Sequence, residues 1–179
     1  NLPTYAVRSL GSASDESMFN SGDTLRDCNI YDFFNAERNS AGISVSQGST
    51  NFIIKNNKFY QTSARTAVTG SAVNKAVDIA NTSGSGFLVS GNTVGFSDSA
   101  GTGNYEVAVT GGSAVVPIDV SAGTATVSEV SDNLIRSFIV TGTNLSNTSL
   151  FTAVRVTNGN VNVTGNEIGD SALTSSINL

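Results

Sequence analysis

The chain has no histidine and no tryptophan, one cysteine, two prolines and few charged residues. Each shortage excludes something. Without histidine, neither a Ser-His-Asp nor a Cys-His nucleophile can be assembled. A zinc site of the histidine-containing kinds is excluded for the same reason. One thiol, Cys28, cannot close an internal disulfide or build a cysteine metal cluster. Nine Lys and Arg stand singly among 14 Asp and Glu, for a net charge of −5, which argues against a nucleic-acid surface. No apolar run approaches the roughly 18 residues of a membrane span, so no membrane insertion is expected in this segment. No charged-plus-apolar leader precedes Asn1, so no signal peptide is visible. No metal and no cofactor is expected.

What is present is mostly small and polar. Ser, Thr, Asn and Gly supply 83 of the 179 residues. Such a composition can mean disorder, but charge is only 13% and hydrophobic residues reach 39%. Val, Ile and Phe occur in short alternating runs, while the small polar residues favour turns over helices. The expectation is many short strands joined by turns. Low charge, one Cys and abundant Ser, Thr and Asn fit a secreted or cell-surface bacterial protein better than a cytosolic enzyme.

A six-residue pattern recurs: apolar, any, Asn/Asp/Gly, Asn, any, apolar. It occupies Ile54–Phe59, Val89–Val94, Val130–Ile135 and Val163–Ile168, with a variant at Leu25–Ile30. Its fourth position is Cys28, Asn57, Asn92, Asn133 and Asn166, at spacings of 29, 35, 41 and 33. The third position is Asp27, Asn56, Gly91, Asp132 and Gly165. These residue types best tolerate a left-handed backbone, so each marks a sharp bend. An Asn at such a bend can accept from one neighbouring unit and donate to the other. Stacked units predict an Asn ladder, with Cys28 as a small, buried first rung.

Alternating triplets precede each bend: Ile43-Ser44-Val45, Val77-Asp78-Ile79, Ile118-Asp119-Val120 and Val154-Arg155-Val156. Each reads as a half-buried strand. A second strand leads into the bend at Phe52/Ile54, Phe87/Val89 and Val161/Val163; Ser128 weakens the corresponding unit. A short third strand is expected after the bend, near Phe33, Phe96 and Phe138. The longer stretches 62–75, 97–114 and 139–151 read as loop insertions, with an extra strand at Tyr105–Val109.

Five bends in phase with these triplets resemble the right-handed parallel β-helix family, the solenoid of pectate-lyase-like proteins and bacterial surface proteins. The resemblance implies an all-β, single-stranded parallel β-helix of about five coils, with three short strands per coil. It covers 25–170, with 1–24 as a partial coil or cap and 171–179 as the start of a further coil. The 179 residues then read as a segment of a longer solenoid, or as a unit whose ends pair with other copies.

Stacking would align Ser44, Asp78, Asp119 and Arg155 in one outward column. Asp78 and Asp119, about 4.8 Å apart per strand step, could share a proton, bind a cation or act as a glycosidase pair. The resemblance places acidic and Arg residues on the equivalent face of pectate-lyase-like enzymes, which makes Asp78, Asp119 and Arg155 the candidate catalytic residues. The simpler expectation is a solvated face where Arg155 offsets Asp119. Asp15, Glu16, Asp23 and Asp27 form an acidic stretch that reads as charged surface, or as a calcium site. Asn81, Asn144, Asn147 and Asn162 match the glycosylation acceptor pattern. The Tyr residues form no evident sugar-stacking platform. The function expected is a non-catalytic structural or adhesive surface solenoid, with surface glycans or copies of itself as partners. The alternatives are a polysaccharide-binding or polysaccharide-degrading β-helix and a self-assembling filament or sheath subunit.

Overall fold

Short apolar–polar alternations bounded by Asn, Asp and Gly cannot sustain helices, and the chain forms strands instead. The computed structural model describes residues 2–12, 15–144, 149–170 and 176–179. Among these, the helical element is a single 3-10 turn at Glu16–Met18. Every strand pairing is parallel.

Four sheets form the body. Sheet I runs Tyr5–Ser9, Ser40–Val45, Val73–Asn81, Ile118–Ala122 and Val154–Asn158, with Ala114–Val115 beside the third strand. Sheet II runs Thr24–Arg26, Ile53–Lys55, Leu88–Ser90, Ser128–Ser131 and Val161–Thr164. Sheet III runs Asn29–Tyr31, Lys58–Tyr60, Thr93–Val94, Leu134–Ile135 and Glu167–Ile168. Sheet IV runs Arg65–Thr66, Tyr105–Gly111, Phe138–Asn144 and Ile177–Asn178. Neighbours within a sheet come from successive passes of the chain, a stacked parallel architecture compatible with a β-helix solenoid.

Register turns the alternation into columns. Ile43, Val77, Ile118 and Val154 stack in sheet I. Leu25, Ile54, Val89, Val130 and Val163 stack in sheet II. Ile30, Phe59, Val94, Ile135 and Ile168 stack in sheet III. The middle members of these columns are fully buried and form one continuous core. The bends between sheets II and III have the left-handed φ their residue types allow: Asp27 57°, Asn56 55°, Gly91 66°, Asp132 56° and Gly165 64°.

Several expectations about the strands are corrected. The third strand follows the bend directly, and Phe33 and Phe96 lie in the turns beyond it. Both rings are buried all the same, Phe33 standing edge-on to Phe59 at 6.3 Å. Phe138 opens a strand of sheet IV, so a typical pass carries four strands, not three. The extra strand expected at Tyr105–Val109 is present as Tyr105–Gly111, and the other two stretches are not simple loops either: 62–75 contains Arg65–Thr66 and 139–151 contains most of Phe138–Asn144. Ser128, the weak position of sheet II, is buried and its hydroxyl accepts the Phe87 amide at 3.1 Å. At the N-terminal end Tyr5–Ser9 joins sheet I. At the C-terminal end Ile177–Asn178 pairs with Phe138–Ile139, and 171–175 lie outside the described residues.

Candidate functional site

Sheet I register places Arg8, Ser44, Asp78, Asp119 and Arg155 in one column. The four residues singled out in the sequence are thus adjacent, with Arg8 added at the N-terminal end. Lys75 completes the group. Its ammonium reaches Asp78 Oδ1 at 2.8 Å and Asp119 Oδ2 at 2.7 Å. Arg155 clamps Asp119 from the other side, Nε to Oδ1 at 2.9 Å and Nη2 to Oδ2 at 2.6 Å. The face is solvated only at its ends, where Arg8 is exposed and the Arg155 side chain is 40% exposed. Ser44, Lys75 and Asp119 are buried, and the Lys75 side chain is 9% exposed.

Nothing in a two-residue period marks Lys75, because residues three apart on a regular strand face opposite ways. Here the strand turns a corner. The Ala76 and Val77 amides both point at the Pro117 carbonyl, at 2.9 and 3.0 Å. Gly42 makes room in the pass before: a Cβ there would sit 2.7 Å from the Phe59 ring. The corner brings Lys75 and Asp78 onto one face.

Charge follows geometry. Burial alone would raise the Asp119 carboxyl, but its bonds to Arg155 and Lys75 outweigh that and hold it below the ordinary carboxylate value. Burial alone would lower the Lys75 ammonium, but Asp78 and Asp119 outweigh it and push it above the ordinary lysine value. The bond to Asp119 likewise raises Arg155. Asp119, Lys75 and Arg155 are each held in the charged form.

At the bends, the motif residues bond from pass to pass. Asn57, Asn92 and Asn133 each donate their backbone N–H to the Oδ1 of the next motif Asn, at 2.9, 3.0 and 3.0 Å. Their Nδ2 groups donate to the Leu25, Ile54 and Val89 carbonyls of the previous pass, at 2.9, 3.0 and 3.0 Å. Asn166 donates to the Val130 carbonyl at 2.8 Å. The Cys28 amide donates to Asn57 Oδ1 at 3.1 Å. Cys28 itself is half-buried, a correction to the buried rung expected from the sequence: it lies in the first bend, covered from one side.

The remaining candidates are dispersed. Asp15 accepts from the Ser17 amide and hydroxyl, while Asp27 makes a loose 3.8 Å contact with Arg26. Among the described residues, no group of three or more His, Cys, Asp or Glu is placed to hold a metal ion. Asn81 is fully buried, its amide nitrogen donating to the Ser46 and Ser49 carbonyls and its Oδ1 accepting from Ser83 and Gly84. That makes it a structural residue, closed to glycosylation in the folded chain. Asn162 is exposed; Asn147 and the Asn144 side chain lie outside the described residues.

A second polar network escapes the sequence pattern. The Tyr105 hydroxyl, fully buried, donates to Asn74 Oδ1 at 2.6 Å and accepts from Gln61 Nε2 at 3.2 Å. Gln61 also binds the Phe33 carbonyl and Arg65, and Arg65 pairs with Asp32. Burial pushes the Tyr105 hydroxyl well above its ordinary value. The Tyr31 and Tyr60 rings stack at 5.1 Å and 9°. No protein-family model matches the chain, and neither a curated protein nor a solved structure does.

Proposed function

We propose that the chain is a right-handed parallel β-helix of five coils that serves as a non-catalytic structural or adhesive scaffold of an exported bacterial surface protein. The handedness follows from the strong preference of parallel β connections for right-handed crossovers. The observation that carries the function is the state of the Asp78–Asp119 pair. A retaining glycosidase needs one carboxyl kept protonated by a raised pKa. Asp119 is instead lowered, and both of its oxygens are engaged by Arg155 and Lys75. A lyase-type proton abstraction by Lys75 would need its neutral amine, and Lys75 is held protonated. Asp119, Lys75 and Arg155 are thus committed to one another, which favours a role in holding the stack over one in turnover. Surface glycans remain the partners proposed for the Ser-, Thr- and Asn-rich surface.

Head-to-tail self-assembly is less well supported. Stacking one copy on the next would set Arg155 beside a second Arg8, and would offer Asn166 the Cys28 thiol in place of an amide oxygen.

The test is turnover of acidic and neutral polysaccharides by the parent chain and by an Asp78→Asn/Asp119→Asn variant. The expected result is no product from either. Product formed by the parent and lost in the variant would overturn the non-catalytic reading.

A further inference from the structure

Sheet III carries a second outward column, Tyr31, Tyr60, Gly95 and Arg136, one position past the paired Ile30, Phe59, Val94 and Ile135. Its members are large except at Gly95. A Cβ at Gly95 would stand 1.7 Å from the Arg136 carbonyl, and φ there is 135°, so the position is closed to side chains. The gap opens as a cleft of about 210 Å³ between sheet III and the turn after Phe96. Lys58 and Tyr60 line it on one side and Phe96 and Arg136 on the other, with Thr93 and Leu134 between.

Asp98 also lines the cleft, and its two carboxylate oxygens accept from its own turn, one from the Thr102 amide at 2.9 Å and one from the Thr102 hydroxyl. Lys58 Nζ donates to the Ser99 carbonyl at 2.6 Å, and among the described residues it makes no ion pair with a carboxylate. Arg136 lies over the Phe96 ring and pairs with Asp170, and its buried Nε has no acceptor among the described residues. A buried donor without a partner is costly. Lys58 thus keeps spare donors beside a partly apolar cleft, which lies below the roughly 300–1,000 Å³ of drug-sized sites.

We propose that this cleft binds a small organic carboxylate with a ring-sized apolar body, its oxygens taken by Lys58 and Arg136 and its body lying on Leu134 and Phe96. The proposal is independent of the Asp78–Asp119 column. It is tested by titrating the chain with benzoate and cyclohexanecarboxylate, followed by saturation-transfer NMR and calorimetry. Benzamide and inorganic phosphate serve as comparison ligands. Lys58→Gln changes an exposed side chain and Thr93→Leu fills the cleft, while Lys55→Gln alters a lysine outside it. Saturable carboxylate binding is expected, with benzamide and phosphate failing to bind. Lys58→Gln should weaken that binding by about tenfold or more, Thr93→Leu should abolish it, and Lys55→Gln should leave it intact. No saturable carboxylate binding in the parent, equal binding of phosphate, or parent-like binding by Lys58→Gln would overturn the site.

Discussion

At the scale of single residues, Lys75 decides how Asp78 and Asp119 coexist. Two carboxylates one strand step apart repel, and Asp119 is largely out of water. The buried ammonium, 2.8 and 2.7 Å from them, removes that conflict. Breaking a buried ion pair by deleting one partner leaves charge uncompensated and costs roughly 3–5 kcal/mol. Lys75→Gln should therefore lower unfolding free energy by about 3 kcal/mol in urea titrations. Arg155→Gln should cost less, about 1 kcal/mol, because its side chain is 40% exposed and screened. The pH dependence has two limbs. Asp119 is lowered on folding, so its contribution is present above the ordinary value of 3.8 and is lost as pH falls through the folded value. Lys75 is raised, so its contribution is present below the ordinary value of 10.5 and is lost as pH rises through the folded value. Parent stability should fall on both sides, and Lys75→Gln should flatten the alkaline limb. An unchanged alkaline limb would separate Lys75 from the network.

At the scale of the element, the bend is a local device whose satisfaction is not local. Asn92 accepts from the Asn57 backbone amide, donates to the Ile54 carbonyl and meets Asn133, all at 3.0 Å or less. Each orphaned buried group costs roughly 1–3 kcal/mol, so Asn92→Ala should destabilise by about 3 kcal/mol; Asn166 bonds Asn133 and Val130 in the same way but is only half-buried, so water replaces part of the loss and Asn166→Ala should cost about 1 kcal/mol. Equal losses in thermal or urea unfolding would mean that solvent access at the last bend does not lower the cost. These bends were legible because residue types at fixed offsets carry the backbone requirement: φ > 0 at the third position and a two-sided amide at the fourth. The sheet I column was legible for a similar reason, since a shared triplet sets its register. Sheet IV was legible only at Tyr105–Val109, because its other strands sit in stretches of irregular length where Arg65–Thr66 and the apolar residues of Phe138–Asn144 lie among Ser, Thr and Gly that read equally well as loop. Lys75 was hidden by the corner at Pro117, which breaks the two-residue period between it and Asp78. The Tyr105–Gln61–Arg65 network joins residues of different passes with no shared spacing.

At the scale of the whole molecule, each pass touches the passes before and after it, so stability behaves as a sum over neighbours. The same motif position then has a different value along the stack. Ile135 and Ile168 are register partners in sheet III, yet Ile135 is fully buried and Ile168 is 54% exposed. Val130 and Val163 differ in the same way in sheet II, as do Val120 and Val156 in sheet I. Removing a buried Ile side chain down to Ala costs roughly 2–5 kcal/mol, a transfer term plus the cavity left behind. An exposed one forfeits little transfer energy and leaves no cavity. Ile135→Ala should therefore cost about 3 kcal/mol and Ile168→Ala less than about 1 kcal/mol. Backbone amides should follow the same gradient, because end strands have one paired edge and central strands two. Hydrogen exchange is expected to be slowest in Val77–Asn81 and Ile118–Ala122, and fastest in Tyr5–Ser9 and Val161–Ile168. Uniform protection across all passes, together with equal costs for Ile135→Ala and Ile168→Ala, would show a single cooperative unit in place of a stack of coupled ones.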